Sequence, residues 1–131
     1  MDEFEEIFKN WLEESLKSDI PENVEAFSFN LDESAPLDGY EFGIELIGAE
    51  RFDADDEDWA CDEIWEPTKR RIFIPVSYSG ESWEECLHTM KELAIKFLQT
   101  DSPAAKKLKS KKGVGIGFVD GNLELIWQSE S

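Results

Sequence analysis

Residues 1–131 are predicted to form a single α+β domain. The expected fold has a largely antiparallel sheet of about five or six strands, an N-terminal helix, a long central helix and a C-terminal β-hairpin. Three features predict it: an amphipathic opening segment, alternating strands in the first half, and a capped helix before a glycine-rich hairpin. Nine Phe and five Trp in a chain that is 40% hydrophobic provide a core that a disordered acidic tail lacks.

The first sixteen residues predict an amphipathic helix. Glutamates occupy one face, and apolar residues recur at helical spacing on the other: Phe4, Ile7, Phe8, Trp11, Leu12 and Leu16. Asp2 and Glu3 favour the positive end of the helix dipole, and Pro21 limits how far the helix extends. The aromatic stripe is expected to be core.

Alternation of apolar and polar residues predicts strands at 26–31 and 40–46, with a turn at 35–39 between them. The second strand is expected to be half-buried, with its other face toward water or a partner. Its pattern changes phase at 46–48. A bulge or bend is expected there, followed by a further strand through Phe52.

An acidic loop is predicted from Asp53 to Pro67, ending in a short strand. The next strand is predicted from Arg71 to Tyr78 because β-branched and aromatic residues dominate it. Pro75 has no N–H to donate to a ladder, so it is expected at an edge or an end of that strand.

Ser82 and Glu85 form a capping-box pattern that starts a long helix, predicted to reach about Gln99. Its apolar stripe is Trp83, Cys86, Met90, Leu93, Ala94 and Phe97. Ser102 and Pro103 start a shorter helix with a lysine-rich end. The last predicted unit is a hairpin of 113–119 and 122–127 about Asp120-Gly121. Glycines 113, 115 and 117 share one strand face, which lets a helix or another backbone approach closely.

The negative charge is concentrated in the first half of the chain. Residues 1–69 contain 23 acids and 4 bases, whereas the rest contains 8 acids and 9 bases. The net charge is therefore −19 in the first part and +1 in the second. Such asymmetry steers a basic partner toward the protein and repels nucleic acid and anionic lipid. The alternative is a solvated acidic surface that only keeps the protein soluble.

The sequence predicts a cytoplasmic protein without a membrane span. No apolar run approaches the ~20 residues that a bilayer span needs, and the start of the chain is acidic where a secretory signal would be basic. Cys61 and Cys86 form no C-x-x-C motif, so neither a disulfide framework nor a zinc site is indicated. Both are expected to be buried free thiols.

No motif indicates catalysis, a cofactor or a metal site. The acidic run from Asp53 lacks the glycine and the final glutamate of a calcium loop. Gly113, Gly115 and Gly117 do not complete a dinucleotide-binding fingerprint, because position 118 is Phe. His88 has no assigned nucleophile partner and is expected on a helix surface. Carboxylate pairs are too abundant to single one out. The protein is therefore not expected to be an enzyme.

The acidic stretch, residues 53–66, is the predicted partner-binding site. The residues assigned to it are Asp53, Asp55, Asp56, Glu57, Asp58, Trp59, Asp62 and Glu63. Acids supply charge-assisted hydrogen bonds to Lys or Arg, and a tryptophan supplies a buried anchor. Alternatively Trp59 and Trp65 both belong to the core. We expect Trp65 to be core and Trp59 to be an exposed anchor.

Four short segments between Glu41 and Trp127 are distinctive: DWACDE at 58–63, FIP at 73–75, WEECL at 83–87 and GVGIGFVDG at 113–121. Together they resemble small acidic bacterial immunity proteins of polymorphic toxin and contact-dependent inhibition systems. The resemblance implies a protein that neutralises a cognate toxin domain, often a basic nuclease, by direct binding. The alternative is a small housekeeping or adaptor domain with no toxin partner.

Overall fold

The computed structural model describes residues 3–17, 19–33, 39–119 and 121–129. It confirms the predicted α+β fold. The elements in chain order are α1 (Glu3–Ser15), β1 (Ala26–Asp32), β2 (Tyr40–Ala49), a 3₁₀ helix (Glu57–Cys61), β3 (Glu63–Trp65), β4 (Arg71–Pro75), α2 (Val76–Ser79), α3 (Trp83–Leu98), α4 (Pro103–Leu108), β5 (Gly113–Phe118) and β6 (Glu124–Gln128). Asp2, Asp120 and most of the expected turn at 35–39 lie outside the described residues.

Six strands form one open sheet in the order β3-β2-β1-β5-β6, and β4 also pairs with β2. The β1–β5 pairing is parallel, and the other pairings are antiparallel. β4 pairs with the first part of β2, at 40–45, whereas β3 pairs with its end at 48–49. β3 and β4 therefore follow one another along the same edge of β2.

The main core lies between one face of the sheet and the helices. The strand side chains in it share one face and are buried: Phe27, Phe29, Leu31, Phe42, Ile44, Leu46, Ile72, Ile74, Val114, Ile116 and Phe118. Phe8 of α1 joins the layers, since its ring lies 5.9 Å from Phe29 and 6.2 Å from Phe97 of α3. Burial of these aromatic rings supplies much of the driving force for folding.

The predicted helices α1, α3 and α4 are confirmed, together with two of their caps. Ser82 Oγ accepts a hydrogen bond from the Glu85 N–H at 3.1 Å, and Ser102 Oγ accepts one from the Ala105 N–H at 3.2 Å. The aromatic stripe of α1 is buried as expected, at Phe4, Phe8 and Trp11, whereas Ile7 of α1 is 46% and Trp83 of α3 is 51% exposed. Within the described residues, no helix is long and apolar enough to cross a membrane.

β2 corrects the expectation of a half-buried strand. Its burial is nearly complete on both faces, and it ends at Ala49 instead of continuing through Phe52. Ile47 and Ala49 lie on the face opposite the helices, where they pack with Trp59. The change of phase in the sequence therefore marks where this second face becomes apolar. The expected bulge or bend corresponds to a register shift between Gly48 and Ala49 in the pairing with β3.

The chain after Pro75 is helical, which corrects the predicted strand to Tyr78. β4 ends at Pro75, and Val76 begins the one-turn helix α2. Pro75 precedes the helix with φ at −65°, the angle that its ring imposes. The helix ends at Gly80, whose φ of 82° favours glycine.

The C-terminal hairpin is confirmed, with a longer connection than expected. Ile116 pairs with Glu124, so residues 119–123 connect the strands. This connection lies over the glycine face of β5: a Cβ at Gly117 would come within 2.4 Å of the Asn122 carbonyl oxygen, and one at Gly113 within 2.5 Å of the Phe52 ring. The close backbone approach predicted for these glycines is therefore present at Gly117, whereas Gly113 and Gly115 meet the side chains of Phe52 and Leu123.

We predict that Gly117→Ala destabilises the protein, since the Asn122 backbone has to move to admit a methyl group. The expected loss in the free energy of unfolding is about 1–3 kcal/mol. Gly121→Ala is the matched control, because its Cβ would make only ordinary contacts, with Phe118 Cβ at 3.6 Å and the Phe118 carbonyl oxygen at 3.8 Å. Denaturant unfolding of both variants measures the difference. Equal losses would contradict the proposed close approach.

Candidate functional site

A cleft of about 300 Å³ opens on the face of the sheet opposite the helices. We call it the acidic cleft; its lining residues are Asn30, Glu45, Asp58, Ala60, Cys61, Glu63, Arg70, Gly117, Phe118, Val119, Gly121 and Leu123. β1, β2 and β5 form its floor, and the 3₁₀ helix and the β5–β6 connection form its walls. The charged lining consists of three carboxylates, from Glu45, Asp58 and Glu63, and one cation, from Arg70.

Local hydrogen bonds fold the first part of the acidic stretch. Asp53 Oδ1 accepts a hydrogen bond from the Asp55 N–H at 2.9 Å, and Asp56 Oδ1 accepts one from the Asp58 N–H at 3.1 Å. Asp56 is thereby the N-cap of the 3₁₀ helix. The bond from Asp58 and a second from Arg51 lower the pKa of the Asp56 carboxyl group. The Asp56 side chain thus has a structural role.

Arg51 holds the two ends of the 3₁₀ helix. Its Nε donates to Asp62 Oδ2 at 2.7 Å, and its Nη1 donates to Asp56 Oδ2 at 3.2 Å. The bonds to Asp62 and then Asp56 raise the pKa of Arg51. All three side chains are more than 40% exposed, so water screens the pairing and it fixes geometry more than it adds stability.

Arg70 holds the second part of the acidic stretch to the sheet. Its Nε donates to Glu45 Oε2 at 2.8 Å, its Nη2 donates to Glu63 Oε1 at 2.8 Å, and its Nη1 also pairs with Glu66. These contacts, with Glu45 the largest contributor, raise the pKa of Arg70. The Glu45 side chain is only 9% exposed and also accepts a hydrogen bond from Asn30 Nδ2 at 3.2 Å. Arg70 therefore neutralises a buried carboxylate.

The eight residues predicted to bind a partner lie in different environments. Three carboxylates are paired with arginines: Asp56, Asp62 and Glu63. Three are exposed and form no ion pair with any described residue: Asp53, Asp55 and Asp58. Trp59 is buried, and the side chain of Glu57 lies outside the described part of the chain. Of the exposed carboxylates, Asp58 lines the acidic cleft.

The expectation that Trp59 is an exposed anchor is wrong. Its side chain is 1% exposed and packs with Ala26, Ile47 and Ala49 on the second face of the sheet. Its ring also meets the Phe52 ring edge-on at 5.3 Å between centroids. Ala26, Ile47 and Ala49 form an apolar patch on this face, and the 3₁₀ helix places the Trp59 ring over it, out of contact with water. Trp65, which was expected in the core, is half-buried and packs against the main core between the sheet and the helices.

The two cysteines differ, which corrects the expectation that both are buried. Both thiols are free, but Cys61 is exposed and lines the acidic cleft, whereas Cys86 is buried in α3. Burial raises the pKa of the Cys86 thiol to about 12. His88 lies on the surface of α3, as predicted, and its Nε2 is 3.0 Å from Glu92 Oε1. The described residues contain no group of side chains arranged to hold a metal ion.

Sequence reasoning did not identify Glu45, Arg70 or Asn30 as parts of the site. Glu45 alternates with apolar residues along β2 and so matched a solvent-facing position. The signal for its burial is the pair Arg70-Arg71, since two adjacent arginines at the start of a strand can compensate buried acids. Arg71 Nη2 lies 2.9 Å from Asp32 Oδ2. A larger cleft lies between α1 and the segment before β4. Its charged lining residues are Glu14 and Lys69, whose opposite charges cancel.

The acidic cleft is suited to binding a cationic group. Asp58 lines the cleft without an ion pair to any described residue and can accept charge-assisted hydrogen bonds from Lys or Arg, and Arg51 and Arg70 hold its wall in position. No protein-family model, curated protein or solved structure matches the chain.

We predict that Trp59→Ala costs about 3–5 kcal/mol in the free energy of unfolding, because it removes a fully buried ring. Trp65→Ala is expected to cost less, since that side chain is already half-exposed. Denaturant melts of the two variants compare the losses directly. A Trp59→Ala variant as stable as the native protein would show that the ring is not the cover of the second face.

We also predict that Arg70→Met destabilises the fold by about 2 kcal/mol, less than a fully buried ion pair would because Arg70 is partly exposed. Arg51→Met is the matched control and should lose less, since water solvates Asp56 and Asp62 once the arginine is gone. Adding Glu45→Gln to Arg70→Met should recover part of the loss. Thermal and denaturant melts test the ranking, and the reverse ranking would refute it.

Proposed function

We propose that this protein is an acidic binding module that recognises a basic protein at the acidic cleft and the adjoining acidic stretch. The leading example is an immunity protein that neutralises a cognate toxin domain by direct binding. This is the role implied by the resemblance to bacterial immunity proteins, and it requires no catalysis by this chain.

The observation that carries the proposal is the pair of exposed carboxylates on a fixed support. Asp55 and Asp58 form no ion pair with any described residue, although Arg51 and Arg70 neutralise several of their neighbours. Their backbones are fixed by the turn at Asp53 and the cap at Asp56. A preorganised acidic surface loses little entropy when a partner binds, so more of the interaction energy appears as affinity.

The charge distribution supports the same partner class. A net charge of −19 in residues 1–69 attracts a basic protein over a distance of about one Debye length. Nuclease domains carry lysines and arginines that contact phosphates. The same side chains can instead pair with the carboxylates of this protein, which then cover the groove that nucleic acid would occupy.

The proposal is tested with the product of the reading frame next to this protein's gene. That product is expressed alone and together with this chain, and growth of the host is followed. The proposal expects growth arrest that co-expression relieves, and a direct complex by calorimetry with the purified proteins. A neighbouring product that is harmless and does not bind would overturn the toxin role.

We predict that Asp55→Lys combined with Asp58→Lys slows association with a basic partner and weakens the complex. Both positions keep their backbone N–H groups, so the cap and the turn survive. Asp56 is left unchanged because its side chain is the cap. The association rate of the native protein should fall steeply with salt, since steering raises rates by about 10- to 1000-fold. Stopped-flow fluorescence measures it.

The matched control is Asp19→Lys combined with Glu22→Lys, two exposed positions after α1 that change the net charge equally. If both double variants lose association rate to the same extent, the acidic cleft is not the binding surface.

Partner binding should also protect the Cys61 thiol from alkylation, because Cys61 lines the cleft. An association rate of the native protein that does not change with salt concentration would contradict electrostatic steering.

A further inference from the structure

Three large apolar side chains are exposed among the described residues; one of them, Val119, belongs to the β5–β6 connection and another, Trp83, lies beside it. Trp83 is 51% and Val119 is 64% exposed, and the third is Ile7 on α1. An exposed tryptophan is costly to leave in water and is over-represented among the residues that dominate interface energy. The position of Trp83 beside the acidic cleft therefore indicates a function.

Trp83 forms one wall of a shallow recess of about 270 Å³, which we call the Trp83 recess. Its lining residues are Glu33, Trp83, Leu87, Phe118, Gly121 and Asn122. The Trp83 ring stands edge-on to the Phe118 ring, with centroids 6.2 Å apart and planes at 83°. The Ser82 cap fixes the start of α3, so the ring is held on a rigid element.

The recess and the acidic cleft adjoin each other. Phe118 and Gly121 line both, and Val119 lies between them in sequence. The parallel pairing of β1 with β5 brings the ends of these strands to one edge of the sheet, where the Val119 N–H donates to the Leu31 carbonyl at 3.0 Å. Glu33 and Val119 follow the two strand ends, and Glu33 lines the Trp83 recess whereas Val119 lines the acidic cleft.

The size and charge of the recess define what it can bind. A volume of about 270 Å³ is below the roughly 300–1,000 Å³ of most small-molecule sites, so the recess suits one side chain of a larger partner. Glu33 on its rim and Asp58 in the adjoining cleft are both exposed carboxylates. They complement cationic residues on either side of that inserted side chain.

We propose that the Trp83 recess is the apolar half of the binding surface and accepts an aliphatic side chain that a basic partner presents between lysines or arginines. This inference rests on the proposed function and specifies its partner. The apolar contact anchors the partner, whereas the carboxylates of the acidic cleft orient it and raise the association rate.

The test uses three short peptides and nuclear magnetic resonance of the isotope-labelled protein. One peptide has a central leucine between lysines, the second replaces the leucine by alanine, and the third replaces the lysines by serines. The first is expected to shift the indole signal of Trp83 and the amide signals of Leu87 and Val119. In Trp83→Ala its dissociation constant should rise about tenfold, equivalent to ~1.4 kcal/mol, whereas Ile7→Ala, the exposed control on α1, should bind unchanged.

The outcomes separate this inference from the proposed function. If leucine and alanine peptides bind equally, with shifts at Asp58 and Cys61 but none at Trp83, the acidic surface stands and the recess inference is overturned. If the serine peptide binds at Trp83 as tightly as the lysine peptide, the charge-based function fails and so does the basic partner proposed for the recess. Because the shifts are read on the native protein, the conclusion does not depend on whether a variant folds.

Discussion

The ion pairs of Arg70 determine how the second face of the sheet is built. Glu45 is buried on β2, and an uncompensated carboxylate at that depth would oppose folding. Arg70 neutralises it from the segment just before β4, and its remaining nitrogens pair with Glu63 of β3 and with Glu66. The same guanidinium thus joins the two short strands that share one edge of β2, and it positions the chain between them. The wall of the acidic cleft depends on this side chain together with Arg51, which holds the 3₁₀ helix.

The negative charge of the first half of the chain is not a uniform surface property. Part of it compensates arginines within the fold, at Asp56, Asp62 and Glu63. Another part, including Asp55 and Asp58, is left without a cation among the described residues. A partner therefore meets a small number of fixed carboxylates beside an exposed tryptophan. This arrangement favours a specific contact over general attraction, because the neutralised carboxylates hold the others in place.

The fold was predictable where short-range chemistry decides it, and the site was not. The Ser82 and Ser102 caps, the α1 stripe and the β5–β6 hairpin all follow from residues within a few positions of one another. The burial of Trp59 and Glu45 depends on the 3₁₀ helix folding over the second face, which is a tertiary event. Period-two alternation on β2 indicated a solvent-facing side, since a sequence does not record what later covers a strand. Trp83 has the spacing of the apolar stripe of α3, but it is the first residue of that helix and lies where the helix leaves the core, so its side chain is exposed.

The parallel pairing at the centre of the sheet has a consequence for how the chain reaches its native state. Phe27 pairs with Val114, and Leu31 with Phe118, so two neighbouring central strands come from opposite ends of the chain. Loop-closure entropy makes such distant pairings slow to form. During synthesis the edge of β1 that receives β5 stays open until residues 113–118 have emerged from the ribosome. An exposed strand edge invites association with other chains, and the dense negative charge of the part made first keeps identical nascent chains apart over that interval.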